Sequence, residues 1–371
     1  MRLARFVLIA ATIGVACPVA AHATDEAGYL GTIRRHSLVT STVPSNGDQN
    51  PYAVVISPVT SGKLRQGDVM VDNFNDKHNL QGLGTTIVSI DPKTKNLSQF
   101  ASIPRHLPSC PGGVGLTTAM AVLKSGWVIV GSLPSQDGTT STKGPGCLIV
   151  LNNQGEVAGT IAGPKINGPW GNMAVIDNGD SATLFVSMTG FGVGSADDTP
   201  PVVNQATVLR IGLSIPPGKP PVVTSQTDIA NRLGEQADKD VFIIGPTGLC
   251  LIGTTLYVSD AIGNRIAAIA DAPTRPTSAG LGQEVTKDGL LKRPLAMTKA
   301  ANGHLLVING LNGQVVEIDP ASGKQIYARW IDANKAQTPP GSGDLFGIAM
   351  TPGGDGFYFV QDETNTLVLA H

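Results

Sequence analysis

Residues 244–270, IGPTGLCLIGTTLYVSDAIGNRIAAIA, restrict the fold more than any other stretch. They hold three strand-like runs separated by Gly and Asn turns. Leu249-Cys250-Leu251-Ile252 is a short apolar run of the kind a strand buried on both faces needs. Leu256-Tyr257-Val258-Ser259-Asp260 is β-branched and aromatic, and Arg265-Ile266-Ala267-Ala268-Ile269 follows the Gly263-Asn264 turn. Three antiparallel strands cannot bury both their faces alone, so such a unit requires neighbours.

The chain supplies them. The same rhythm of an apolar run, a β-rich run and a third strand recurs at 52–56, 68–72 and 85–91, and at 118–122, 127–131 and 147–151. It recurs again at 171–176, 183–187 and 207–211, at 294–297, 304–309 and 313–319, and at 346–350, 356–362 and 365–369. Six units spaced by about 50–75 residues predict an all-β fold, a six-bladed β-propeller. The predicted blades are 50–104, 116–163, 169–230, 244–285, 292–333 and 344–371, in one domain spanning 24–371. The last unit is one strand short. The β-prone run 37–43 is expected to supply the missing outer strand and close the ring, which removes an exposed edge. Residues 24–35 read as a loose entry.

Pro246, Gly248, 256–260 and 264–266 resemble an NHL repeat, and the whole is similar to NHL and gluconolactonase-like (SMP-30-type) propellers. That resemblance implies a divalent cation, Ca2+ or another, at the channel mouth, held by a Glu, two Asn and an Asp from the inner-strand entries. The matching positions here are Asn50, Asn172, Thr247 and Asp344. Thr247 stands where the resemblance asks for an aspartate, and no entry glutamate lies near Asn50. The implied metal set shrinks to Asn50, Asn172 and Asp344, with one negative charge.

Residues 1–23 read as a signal peptide. Arg2 and Arg5 precede the apolar run 6–16, and Ala21-His22-Ala23 is a small-residue cleavage site. The expected location is periplasmic or secreted, with cleavage after Ala23; lipidation of Cys17 is the alternative. The mature chain then keeps three cysteines, an odd number. Cys110 and Cys147 lie in irregular segments flanking one blade and are expected to pair. Cys250 sits in an apolar run and is expected to be free and buried. Without the leader, 24 basic residues face 28 acidic ones with no basic cluster. Nucleic acid and anionic membranes are therefore poor partners. A monomer without a membrane span is expected.

No nucleophile-elbow, zinc-protease, haem-attachment or phosphate-loop motif is present. What stands out is an asymmetry of loops. The links 73–84, 132–146 and 188–206 are long, whereas 261–264, 310–312 and 363–365 are short. The long ones should crowd half of one face, beside the channel mouth. Asn73 and Asn75 in the run 72–76 offer oxygens of the kind calcium takes, or belong to a solvated loop. His78 and His106 are candidate bases, or plain surface residues. Trp170 lines a ligand pocket or packs in the core. With Asn50, Asn172 and Asp344, these form the expected ligand-binding surface. Two functions follow: an exported scaffold that binds a protein, peptide, glycan or small molecule on its loop-rich face, and a metal-dependent lactonase or ester hydrolase at the channel mouth. The missing carboxylates favour the first, without catalysis.

Overall fold

Turns break residues 28–194 and 200–371, which the computed structural model describes, into 25 strands and one 3-10 turn. The expected signal peptide, residues 1–23, lies outside the described residues. A short strand, β1 (His36–Ser41), comes first. The first blade is β2 (Gln49–Ile56), β3 (Val69–Asn75), β4 (Thr86–Ile90) and β5 (Leu97–Ser102). The second is β6 (Leu116–Val122), β7 (Val128–Ser132), β8 (Cys147–Leu151) and β9 (Val157–Ile161). The third has five strands: β10 (Ala174–Asp177), β11 (Ser181–Met188), β12 (Val203–Ser214), β13 (Val222–Asp238) and β14 (Phe242–Ile244). The fourth is β15 (Pro246–Ile252), β16 (Thr255–Asp260), β17 (Arg265–Ile269) and β18 (Gln283–Lys287). The fifth is β19 (Pro294–Lys299), β20 (Leu305–Asn309), β21 (Gln314–Ile318) and β22 (Gln325–Trp330). The sixth is β23 (Leu345–Met350), β24 (Phe357–Gln361) and β25 (Thr366–Ala370), completed by β1. Six antiparallel sheets therefore form a six-bladed propeller. Among the described residues, no helix is long and apolar enough to cross a membrane.

The ring closes through β1. It pairs antiparallel with β25, with Ser37 opposite Leu369 and Ser41 opposite Thr366. Residues 28–35, read from the sequence as a loose entry, are instead fixed. The Glu317 carboxylate, fully buried, accepts the amides of Tyr29 (2.9 Å) and Leu30 (2.8 Å), and Leu30 and Ile33 are sealed against blades five and six. A carboxylate that meets two amides and His304 Nδ1 at 2.7 Å has the partners its burial requires.

The inner strands explain the repeat. Their first residues place one small residue each beside the axis: Ala53, Ala119, Gly171, Gly248, Ala296 and Gly347. A Cβ on Gly171 would collide with the Thr247 carbonyl, one on Gly248 with the Leu295 carbonyl, and one on Gly347 with the Tyr52 carbonyl. Each inner strand thus lies against the backbone of another, and only a small residue admits that approach. The apolar strands then bury one cluster between each pair of blades, as at Met70, Ile87, Met120, Val130 and Ile149.

Blade three departs from the expected pattern. Its β12–β13 hairpin is long, 12 and 17 residues. The end of β13 turns back, so that Gln236 pairs with Ile244 in β14. The segment 241–244 therefore belongs to blade three and is laid across the channel, not the start of blade four.

Candidate functional site

The residue before each small inner-strand residue points at the loop-rich end of the channel. Three of these six are aromatic: Tyr52, Trp170 and Phe346. Phe74 from β3 and Phe242 from β14 join them. Tyr52 stacks on Phe346 (centroids 4.2 Å apart) and on Phe74 (4.6 Å), and Trp170 meets Tyr52 and Phe74 edge-on at 5.7 and 5.5 Å. Phe242 adds contacts of 5.4 Å to Phe74 and 6.4 Å to Trp170. All five rings are buried. The cavity left beside them, between Thr118, Thr247 and Arg293, measures about 20 Å³, room for a single water. This end of the channel is plugged.

The plug decides where the expected site residues stand. Trp170 is part of it and reaches into no ligand pocket. Asn172 is a tie between blades. Its Nδ2 donates to the carbonyls of Leu249 (2.9 Å) and Met297 (3.3 Å), and its Oδ1 accepts the amides of Met297 (3.1 Å) and Leu249 (3.4 Å). Neither amide atom is free for a cation. Asp344 is buried, and burial and the neighbouring carboxyl of Asp332 push it up to about 6. His78 and His106 are exposed on the rim and meet no partner that would make either a base. Asn50, Asn73 and Asn75 are buried on β2 and β3. The structure brings Asn50 and Asn73 together with the sixth blade and leaves Asn172, His78 and His106 apart from them.

The first two long loops lock onto one another; of the third, residues 195–199 lie outside the described residues. Ser135 donates from its amide to the Gly82 carbonyl (3.0 Å) and from its hydroxyl to the Gln81 carbonyl (2.5 Å). Gln81 Nε2 reaches the Asp240 carbonyl at 3.1 Å. The Arg105 guanidinium meets Asp76 at 3.1 Å, fixing the segment of His106 to the first loop. Cys110 and Cys147 are disulfide-bonded, with Cα atoms 5.6 Å apart, and pin the base of the second loop. Cys250 is a buried free thiol. Glu235 of β13 is fully buried and accepts the amides of Gly190 and Phe191 at the start of the third loop. Burial pushes its carboxyl up to about 8, with Lys143 and these amides opposing.

The far end of the channel is open. A cavity of about 430 Å³ runs between the inner strands, lined by Val54, Met120, Met173, Leu249 and Ile348 among others. At Ile56 and Met350 it meets a cleft of about 1010 Å³ between blades one and six, with Asp68, Asp91, Asp355 and Lys93 on its walls. No loop asymmetry in the sequence pointed to this side.

No family model matches the sequence, and no curated protein matches it. Among solved structures, the chain is similar to a gluconolactonase from Xanthomonas campestris, with a TM-score of 0.53 at 12% identity over 90% of this chain and 88% of that one. It is similar to the calcium-binding protein regucalcin from Agrobacterium tumefaciens, with a TM-score of 0.52 at 12% identity over 89% and 92%. A PQQ-bound aldose sugar dehydrogenase from Streptomyces coelicolor follows at 0.50, with 14% identity over 91% and 98%. Proteins of different activity share this fold, so the fold alone assigns none of them here.

The residues present do not fit an axial divalent cation. Thr247 carries no charge, Asn172 is spent on backbone partners, and the aromatic rings fill the mouth. Among the described residues, no three His, Cys, Asp or Glu side chains converge in a metal-binding group.

Proposed function

We propose that this chain is a binding propeller that holds a protein, peptide or glycan partner on the rim built by loops 73–84, 132–146 and 188–206. The carrying observation is that the first two loops are tied to each other, and the start of the third to β13, beside a sealed channel mouth. Ring stability needs only short turns, and long loops add closure entropy without adding core. Loops fixed before binding lose less entropy when a partner docks. The exposed rim carries Lys77, His78, Leu80 and His106, a mixed basic and apolar surface. The reading includes export after removal of residues 1–23.

A metal-assisted lactonase or esterase at the channel mouth is what the gluconolactonase likeness suggests, but its ligand set is not assembled, and no reaction step is built on it. A small molecule in the far-end channel is a second reading, favoured by its volume, which lies in the usual range for ligand sites.

One experiment separates these. A glycan and peptide array is probed with the mature chain, with a variant whose residues 136–142 are replaced by Gly-Gly, and with Met350→Trp, which fills the far channel. The Gly144 amide already closes the base of that loop on the Pro134 carbonyl at 2.8 Å, so trimming leaves the blade intact. The rim reading expects array signals lost on trimming and kept in Met350→Trp. Signals that survive trimming would overturn it.

A further inference from the structure

Blades one and six part on the far face and leave the cleft of about 1010 Å³ between them. That is the upper end of the range that organic ligands occupy. Part of its lining is apolar: Ile56 from the end of β2, Met350 from the end of β23 and Leu369 of β25.

The charge on its walls is predominantly negative. Blade one supplies Asp68 and Asp91, and blade six supplies Asp355, against one lysine, Lys93. The His371 ring, also in the lining, meets the Ser37 hydroxyl at 3.0 Å. Among the described residues, none of the three carboxylates forms an ion pair. Asp91 is spent on its own turn, where it accepts the amides of Lys93 (2.8 Å) and Thr94 (3.3 Å) and the Thr94 hydroxyl (2.8 Å). The other two are half used. Asp68 Oδ2 accepts the Ser89 hydroxyl at 2.8 Å, and Asp355 Oδ1 accepts the Thr351 hydroxyl at 2.6 Å. Asp68 Oδ1 and Asp355 Oδ2 meet no donor from another described residue, and they stand on different blades.

A third group marks the cleft. Tyr358 of β24 is only 5% exposed, and its ring belongs to the core cluster that holds Val69, Val71 and Ile90 of blade one. The same residue lines the cleft. Its hydroxyl is not sealed from solvent and, among the described residues, meets no hydrogen-bond partner. A phenol with a buried ring and an unpartnered oxygen at a cavity wall is a polar group free for a ligand.

Carboxylates on different blades, in a cleft of this size with apolar surface, do not suit one metal ion. Among the described residues, no three His, Cys, Asp or Glu side chains converge. They suit a dication whose charges are held apart by carbon. We propose that the cleft binds an aliphatic diamine, with one ammonium at Asp68 of blade one, the other at Asp355 and the Tyr358 hydroxyl of blade six, and the methylene chain over Ile56, Met350 and Leu369. An ammonium group is a compact donor that carboxylate and hydroxyl oxygens accept. Each methylene removed from water adds to binding. The site lies away from the loop rim and from the plugged mouth, and it stands whatever the rim holds.

The test titrates the full mature chain by calorimetry with putrescine, cadaverine and hexamethylenediamine. Hexylamine, hexanediol and adipate serve as the monocationic, neutral and anionic counterparts. The expected result is one diamine per chain, bound at least about fivefold more tightly than hexylamine and hexanediol, with no binding of adipate. Added salt weakens the diamine more than hexylamine, because two charges are screened instead of one. Asp68→Asn and Asp355→Asn each bring the diamine down towards the affinity of hexylamine, and Tyr358→Phe, which removes one oxygen, also weakens it. Asp180→Asn, an exposed acid on blade three outside the cleft, keeps full affinity. The variant trimmed at residues 136–142 binds the diamine as the parent does, so the outcome here is independent of the rim. Circular dichroism establishes that each variant is folded. Absence of saturable binding at several millimolar diamine, equal affinity for hexanediol, or unchanged affinity in folded Asp68→Asn and Asp355→Asn would overturn the proposal.

Discussion

Single residues in this chain change role with a shift of one position along the inner strand. Gly171 admits close packing at the axis, Trp170 before it plugs the mouth, and Asn172 after it ties two further blades together. The sequence shows Trp170 and Asn172 as an entry aromatic and an entry amide, which is how ligand residues also look. What separates the readings is whether the partners of the side chain are backbone or solvent, and no spacing encodes that. The clue that was available is the run of small residues 53, 119, 171, 248, 296 and 347, each preceded by the residue that faces the mouth. Buried carboxylates were likewise invisible. Burial pushes Glu235 up to about 8 and Asp72 up to about 8, each well above its ordinary value in an unfolded chain. Between those values the folded chain holds protons that the unfolded chain has released, so stability is greatest at the acid end and falls as pH rises towards 8. In metal-free buffer, the melting temperature is expected to drop between about pH 5 and about pH 8.5, and Glu235→Gln to flatten the drop. A melting temperature that holds steady or climbs over that interval would show that these groups are not buried as described.

Elements were legible to different degrees. The first three strands of every blade stood out because each is apolar or β-branched on both faces. The fourth strands did not, since β5, β9, β18 and β22 carry polar residues on their outer side, as in Leu97–Ser102 with Ser98 and Gln99 exposed. Strand β14 was missed altogether: three residues, FII, read as the approach to blade four, and only its pairing with β13 makes it a lid on the channel. The long loops were legible as lengths, but not as a locked rim, because their ties run from side chains to backbone carbonyls 54 and 159 residues away. The disulfide is the covalent part of that rim. It spans 37 residues, and its loss in Cys110→Ser/Cys147→Ser is expected to lower stability by about 2–4 kcal/mol. If the rim is one unit, protease cleavage within 132–146 should rise in this variant while the other blades stay protected. Equal cleavage in the two proteins would mean that the loop is held without the bond.

At the scale of the whole molecule, ring closure by β1 followed from counting strands, since a final blade with three strands and a β-prone start leave one economical solution. Which end of the channel is open could not be counted. It depends on five aromatic rings contributed by blades one, three and six, separated by up to 294 residues and brought together only when the ring closes. That sealed mouth is the centre of the account, because it removes the axial site and leaves the rim and the far end. Trp170 reports on it directly once Trp127 and Trp330 are replaced by Phe, leaving a single tryptophan. The account predicts blue-shifted Trp170 emission, inaccessible to iodide and unchanged by gluconolactone with divalent cations. Red-shifted emission that iodide quenches, or that responds to lactone and metal together, would contradict it.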